Sequence, residues 1–165
     1  MSPADDLLIG PARAGDDEWC ARVMTATDPW RTLGRDLARC LASVRRPGAE
    51  LFVARGGGPG NRGDHGDRGD QPLGFIVLHP TGMAGQPYVA VVAVAPEARG
   101  AGIGARLLAF AETRYPEARH IFLCVTNINT GARRLYERVG YRMVGEIPDF
   151  SGPGFSELIM HKRLT

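Results

Sequence analysis

The segment Arg99-Gly100-Ala101-Gly102-Ile103-Gly104-Ala105 carries the clearest chemistry in the chain. Alternating glycines at a helix start aim several backbone N–H groups at one spot, and the helix dipole favours an anion there. The expected guest is a phosphate or pyrophosphate held by the amides of Gly100 to Ala105, with Arg99 as a nearby charge partner. An isolated G-x-G more often makes only a tight strand-to-helix turn, so its surroundings must decide. Gly100, Gly102 and Ala105 formally satisfy the dinucleotide pattern G-x-G-x-x-A. The following strand, however, ends in Val125-Thr126-Asn127, with no acid for a ribose. A Walker loop needs Gly-Lys-Ser or Gly-Lys-Thr, and Gly104 is followed by Ala105-Arg106.

Such a loop needs a strand to deliver it and a helix to follow. Tyr88 to Ala95 is apolar almost throughout, the pattern of a central strand buried on both faces, and Pro96 ends it. Beyond Gly102, Ile103, Leu107, Leu108, Phe110 and Ala111 form one stripe, with Arg106, Glu112 and Arg114 outside it. Upstream, Leu7 to Ala12 reads as a first strand. Asp16 and Asp17 then cap a helix carrying Trp19, Cys20, Val23 and Met24. Leu33, Leu37, Cys40, Leu41 and Val44 predict an amphipathic helix ending before Pro47-Gly48. Leu51 to Ala54 and Leu73 to Leu78 predict two hairpin strands around a polar connection, Gly56 to Gln71. That connection cannot bury apolar surface and is expected to be a mobile, exposed loop. Its two Arg-Gly-Asp tripeptides reflect low complexity rather than cell adhesion. Downstream come a buried strand at Ile121 to Val125, an N-cap at Asn129, a helix to Val139 stopped by Gly140, and strands at Tyr141 to Ile147 and Phe155 to Leu164. The order β-α-α-β-β-β-α-β-α-β-β predicts an α/β fold, a mixed sheet with helices on both faces.

Val94-Ala95-Pro96-Glu97-Ala98-Arg99-Gly100-Ala101-Gly102-Ile103-Gly104 resembles the cofactor motif of the GCN5-related N-acetyltransferase (GNAT) superfamily, V-x-P-x-x-R/Q-x-x-G-x-G. A second family motif follows in order: Asn129-x-x-Ala132, Leu135-Tyr136-Glu137 and Gly140-Tyr141. The motif-level match spans Tyr88 to Tyr141. The resemblance implies the GNAT fold, a mostly antiparallel mixed sheet of about six or seven strands flanked by about four helices. It also implies acetyl-CoA as co-substrate and an amine acceptor. The backbone of Val92, Ala93 and Val94 would bind the pantetheine arm and polarise the acetyl carbonyl. Gly100 to Ala105 would bind pyrophosphate, Asn129 would touch the cofactor, and Tyr136 would protonate the leaving thiolate. By periodicity alone, Tyr136 lies on its helix's apolar stripe and would be a packed aromatic.

Acetyl transfer to an amine needs a neutral nucleophile, stabilisation of the oxyanion and a proton for the thiolate. The base is harder to find. Tyr88 to Ala95 carries no carboxylate, and Cys124 stands five positions before Asn129, where family members that acetylate ribosomal-protein N-termini carry glutamate. A cysteine in an apolar strand is core filling and a poor base. Asp149 is expected to recognise or deprotonate the amine, with Glu157 a neighbouring substitute. Trp30, Tyr88 and Phe150 are the candidates for the acceptor pocket, each competing with ordinary packing. The missing base also permits a catalytically weak acyl-CoA-binding sensor.

The remaining composition bounds the class. A chain of 165 residues, 44% hydrophobic and 23% charged, is expected to form a single globular domain over residues 1–165. Its net charge of +2 is spread rather than gathered, which argues against nucleic acid. Four histidines and three cysteines show no metal-binding spacing. The odd cysteine count, the acidic start without a leader and the lack of a long apolar run predict a cytoplasmic protein without a membrane partner. A monomer or homodimer is expected.

Overall fold

The computed structural model describes residues 7–56 and 70–164. The expectation of a mobile loop at Gly56 to Gln71 falls almost entirely on residues 57–69, outside the described residues. The elements are β1 (Leu7–Pro11), α1 (Asp16–Ala26), α2 (Leu37–Val44), β2 (Glu50–Gly56), β3 (Pro72–Met83), β4 (Gln86–Val94), α3 (Ile103–Arg114), β5 (His120–Thr126), α4 (Thr130–Arg138), β6 (Arg142–Ile147) and β7 (Glu157–Arg163). They form a seven-stranded sheet in the order β1-β2-β3-β4-β5-β7-β6. Every neighbouring pair is antiparallel except β4 and β5.

Two hydrophobic clusters lie against opposite faces of the sheet. Ile103, Leu107, Leu108 and Ala111 of α3 and Tyr136 of α4 pack with Ile76, Leu78, Val89, Ile121 and Leu123 on one side. Cys20, Ala21, Val23 and Met24 of α1 and Cys40 and Val44 of α2 pack with Val53, Phe75, Val77, Val91 and Ala93 on the other. Burying each large aliphatic side chain stabilises the fold by about 1.5–3 kcal/mol. These layers hold β4 from both sides and fix what its loop can reach. Among the described residues no helix is long and apolar enough to cross a membrane.

The element order follows the sequence expectation, with three local corrections. The second helix does not include Leu33. Gly34 turns the chain at φ 63°, and Asp36 caps the helix by accepting a hydrogen bond from the Arg39 amide at 2.8 Å. The hairpin strand β3 does not stop at Leu78 but runs to Met83. Its interior proline, Pro80, lies where the register between His79 and Met83 is irregular, a place where a missing N–H is tolerated. Ala84 and Gly85, both at positive φ, then turn the chain into β4. Finally, β4 is not buried on both faces throughout but alternates buried and part-buried residues.

The face on which the buried residues lie changes at a bulge. Leu78 faces Val89 and Val77 faces Val91, leaving Ala90 as an extra residue in β4. Val89 consequently packs on the α3 side and Val91 on the α1 side. Beyond the bulge β4 leaves its parallel neighbour, since β4 and β5 pair only at Tyr88↔Phe122 and Val89↔Leu123. The sheet therefore splits toward the ends of β4 and β5, and β4 has no β5 partner from Ala90 onward.

Candidate active site

The glycine loop closes one side of that split. A cleft of about 710 Å³ runs from Arg99, Gly100 and Gly102 past the N-terminus of α3 to Val92, Ala93 and Val94 of β4, and to Asn129 and Tyr136 across the gap. The chain is shaped here by Gly100 at φ 81° and Gly102 at φ 75°, in the left-handed region that side chains avoid. Gly102 is the N-cap of α3 and offers no side-chain cap, so the first amides of the helix remain available to a ligand. A Cβ on Gly100 or Gly102 would meet no atom within 4 Å, meaning that both face open space. Gly104 differs. Its Cβ would come within 2.9 Å of Leu135 Cδ2, so this glycine lets α3 approach α4. Of the loop residues expected to hold phosphate, Ala101 alone does not line the cleft and packs against the core instead.

Charge agrees with an anionic guest. Arg99 and Arg138 line this cleft without a carboxylate partner among the described residues, while its remaining arginine, Arg31, is paired with Asp28 at 2.9 Å. Arg138 was not anticipated, because it comes from the end of α4, far from the glycine loop in sequence. Asn129 acts as the expected N-cap, its Oδ1 accepting from the Ala132 amide at 3.2 Å, and it also lines the cleft.

A second cleft of about 590 Å³ lies on the α2 side of the split and meets the first at Trp30, Val92, Asn129 and Tyr136. All three residues expected in an acceptor pocket line it: Tyr88 on the strand floor, and Trp30 and Phe150 on loops. Trp30 is set by a loop that Asp28 braces through hydrogen bonds from Arg31 at 2.9 Å and Thr32 at 2.7 Å. Phe150 is 63% exposed, so packing does not explain its position. Tyr136 is buried, yet among the described residues its hydroxyl has no hydrogen-bond partner and it lines both clefts. Burial, and secondarily the charge of Glu157, raise its pKa above the ordinary tyrosine value.

Asp149 and Glu157 exchange the places expected of them. Asp149 is exposed at φ 52° and spends its carboxylate on its own loop, where Oδ1 accepts from the Gly154 amide at 2.6 Å; it does not line the cleft. Glu157 lies at the start of β7 opposite Thr126 and does line it. Its Oε1 accepts from the Thr126 hydroxyl at 2.7 Å and the Ser151 hydroxyl at 3.3 Å. Two hydroxyls on one oxygen orient the carboxylate and leave the other oxygen without a side-chain partner among the described residues. Among the described residues Glu157 is also the only carboxylate on this cleft's lining. Cys124, expected as core filling, is part-buried at the same cleft, and desolvation raises its pKa. Glu157 was named from the sequence only as a substitute for Asp149, and Arg46 and His79 were not anticipated, since the three converge on the cleft from segments far apart in the chain.

Comparison with known proteins agrees with this geometry. Residues 22–141 match the model of the acetyltransferase (GNAT) family. The chain is 44% identical over 71 residues to a blasticidin-S acetyltransferase of Streptomyces morookaense, a match covering 41% of this chain and 49% of that protein. The chain thus spans about half the length of that relative. It is 32% identical to a nourseothricin acetyltransferase of known structure, with a TM-score of 0.59 over 72% of this chain and 67% of the other. An aminoglycoside 6'-N-acetyltransferase complexed with coenzyme A shares the fold at 17% identity, with a TM-score of 0.70 over 96% and 97% of the two chains. With a family model covering most of its length and a split sheet bordered by the glycine loop, this chain belongs to the acetyltransferase (GNAT) family.

Proposed function

We propose that this chain is an N-acetyltransferase that moves the acetyl group of acetyl-CoA onto a primary amine of a small molecule or peptide. The observation that carries the reading is the meeting of two clefts at Tyr136, with the glycine loop bordering one and Glu157 the other. The first cleft fits the donor. Its open glycine backbone and the uncapped start of α3 suit a pyrophosphate, as do Arg99 and Arg138. The unpartnered edge of β4 suits the amides of an extended pantetheine arm. Bound there, acetyl-CoA supplies an acyl group activated as a thioester.

The chain's own residues supply the rest. On β4, Val92 and Val94 present backbone amides toward the open edge, where the acetyl oxygen gains negative charge, while the Ala93 amide points to β3. Glu157, oriented by Thr126 and Ser151, takes a proton from the incoming ammonium group, directly or through water. Tyr136 keeps its proton well into the alkaline range and gives it to the leaving sulfur. Trp30, Tyr88 and Phe150 enclose the acceptor. The sensor alternative drew on the lack of a base, and Glu157 removes that motive. A single domain holding one such site, in the cytoplasm, remains our reading; its three unpaired cysteines suit a reducing compartment.

The test is to incubate the protein with acetyl-CoA and a panel of primary amines, following thiol release together with N-acetylated product by mass spectrometry. Amine-dependent release with matching product is expected. Tight acetyl-CoA binding with no product from any amine would return the reading to a sensor.

A further inference from the structure

Resting on the acetyltransferase reading, the charges of the acceptor cleft point to a particular class of amine. Two arginines line it: Arg35, part-buried at the turn before α2, and Arg46, exposed just beyond the helix. Among the described residues neither meets a carboxylate. Nearby arginines outside this cleft are treated differently, since Arg31 is paired with Asp28 at 2.9 Å and Arg45 with Asp17 at 2.6 Å. Those arginines are thus paired with acids, whereas Arg35 and Arg46 are not: even Asp36, next to Arg35 in the chain, turns its carboxylate to the Arg39 amide.

A third basic group joins Arg46. His79, on the part of β3 beyond the sequence-predicted strand, lines the same cleft, and its Nε2 is buried without a hydrogen-bond partner. Burial and the positive charge of Arg46 lower its pKa, so the ring is neutral near pH 7 and can offer one N–H. A buried, unsatisfied ring nitrogen beside a guanidinium is the donor set of an oxyanion site. Glu157, the single carboxylate of the lining among the described residues, belongs to the opposite side. His79 stands across from Tyr88, and Tyr88 across from Phe122, so His79 is two strand spacings, about 10 Å, from β5. Glu157 lies one strand further, on β7.

We propose that the acceptor is a primary amine carrying an oxyanion at its far end, a carboxylate or a phosphate, with the amine directed to Glu157 and the oxyanion held by Arg46 and His79, Arg35 adding positive field. A polycationic amine would place additional ammonium groups against two unneutralised guanidiniums, and like charges disfavour it.

The experiment compares kcat/KM for hexylamine, 6-aminohexanoate, 6-aminohexyl phosphate and the dication cadaverine under saturating acetyl-CoA. At least one anionic amine is expected to exceed hexylamine about tenfold or more, with cadaverine below hexylamine, and the preference should shrink in high salt. The better of the two anionic arms identifies carboxylate or phosphate as the group. In Arg46→Gln the ratio of anionic amine to hexylamine should fall to about one, with the loss in KM, while Arg46→Lys keeps part of it. Thermal melting checks that each variant folds. A ratio at or below one in the parent protein, or an undiminished ratio in folded Arg46→Gln, overturns this inference and leaves the acetyltransferase reading standing. Absence of turnover with every amine overturns both.

Discussion

At the scale of single residues, Tyr136 and Glu157 carry the proposed chemistry, and their surroundings differ in kind. Tyr136 is enclosed by core residues with its hydroxyl at the junction of the clefts, so removing the oxygen alters little packing. Tyr136→Phe is expected to lower kcat by about 10²-fold while the Kd for acetyl-CoA changes little, measured by steady-state kinetics and calorimetry. Because its pKa is raised, kcat of the parent protein should show no alkaline decline below about pH 10. Glu157 and Asp149 make a paired test. Glu157→Gln should lower kcat/KM near neutral pH by about 10²-fold, while Asp149→Asn leaves KM and kcat near those of the parent. A large loss in Asp149→Asn with none in Glu157→Gln would restore the sequence assignment. Asp149's carboxylate accepts the Gly154 amide, so that variant should still be checked for an intact loop by its melting curve.

At the scale of elements, the site depends on a strand that parts from its neighbour and a helix whose first turn is left open. The bulge at Ala90 lets β4 contribute to both clusters within a few residues, and the split from β5 follows it. The glycine loop then enters α3 through two left-handed residues. Gly102→Val would force a β-branched side chain into φ near 75°, costing about 1–2 kcal/mol locally, and would place methyl groups in the open space of the donor cleft. Acetyl-CoA binding is expected to weaken at least about tenfold, a change worth about 1.4 kcal/mol and within reach of calorimetry. An unaltered Kd would count against phosphate binding at this loop.

At the scale of the whole molecule, the α1–α2 layer must stay docked on the sheet for Trp30 and Arg46 to meet the strands. Its anchor is an ion pair between Asp16 at the start of α1 and Arg55 of β2, with side chains only 9% and 11% exposed. Asp16 also accepts the Arg13 amide at 2.6 Å, closing the turn from β1. Asp16→Ala would leave the guanidinium buried beside an unsatisfied turn, and breaking such a pair costs about 3–5 kcal/mol. The midpoint of chemical denaturation should drop accordingly, with acetyl-CoA giving back part of the loss by binding only the folded state.

The order of elements, the donor loop and the place of Tyr136 were legible in the sequence because each is local. A glycine pattern, an N-cap at Asn129 or a 3.6-residue stripe is written in consecutive residues. The starts of α2 and the end of β3 were misread where Gly34 and Pro80 carry conflicting local signals that packing resolves. On the acceptor side the aromatic residues Trp30, Tyr88 and Phe150 were legible, but the charged groups around them were not. Glu157 rather than Asp149 lines the second cleft, together with His79 and Arg46, because segments distant in sequence are brought together by register, and register is decided by which faces the two cores bury. Sequence alone singled out the loop expected to take a phosphate-bearing donor; tertiary structure decided which carboxylate lines the second cleft and which basic groups share it, since those contacts exist only once the sheet is assembled.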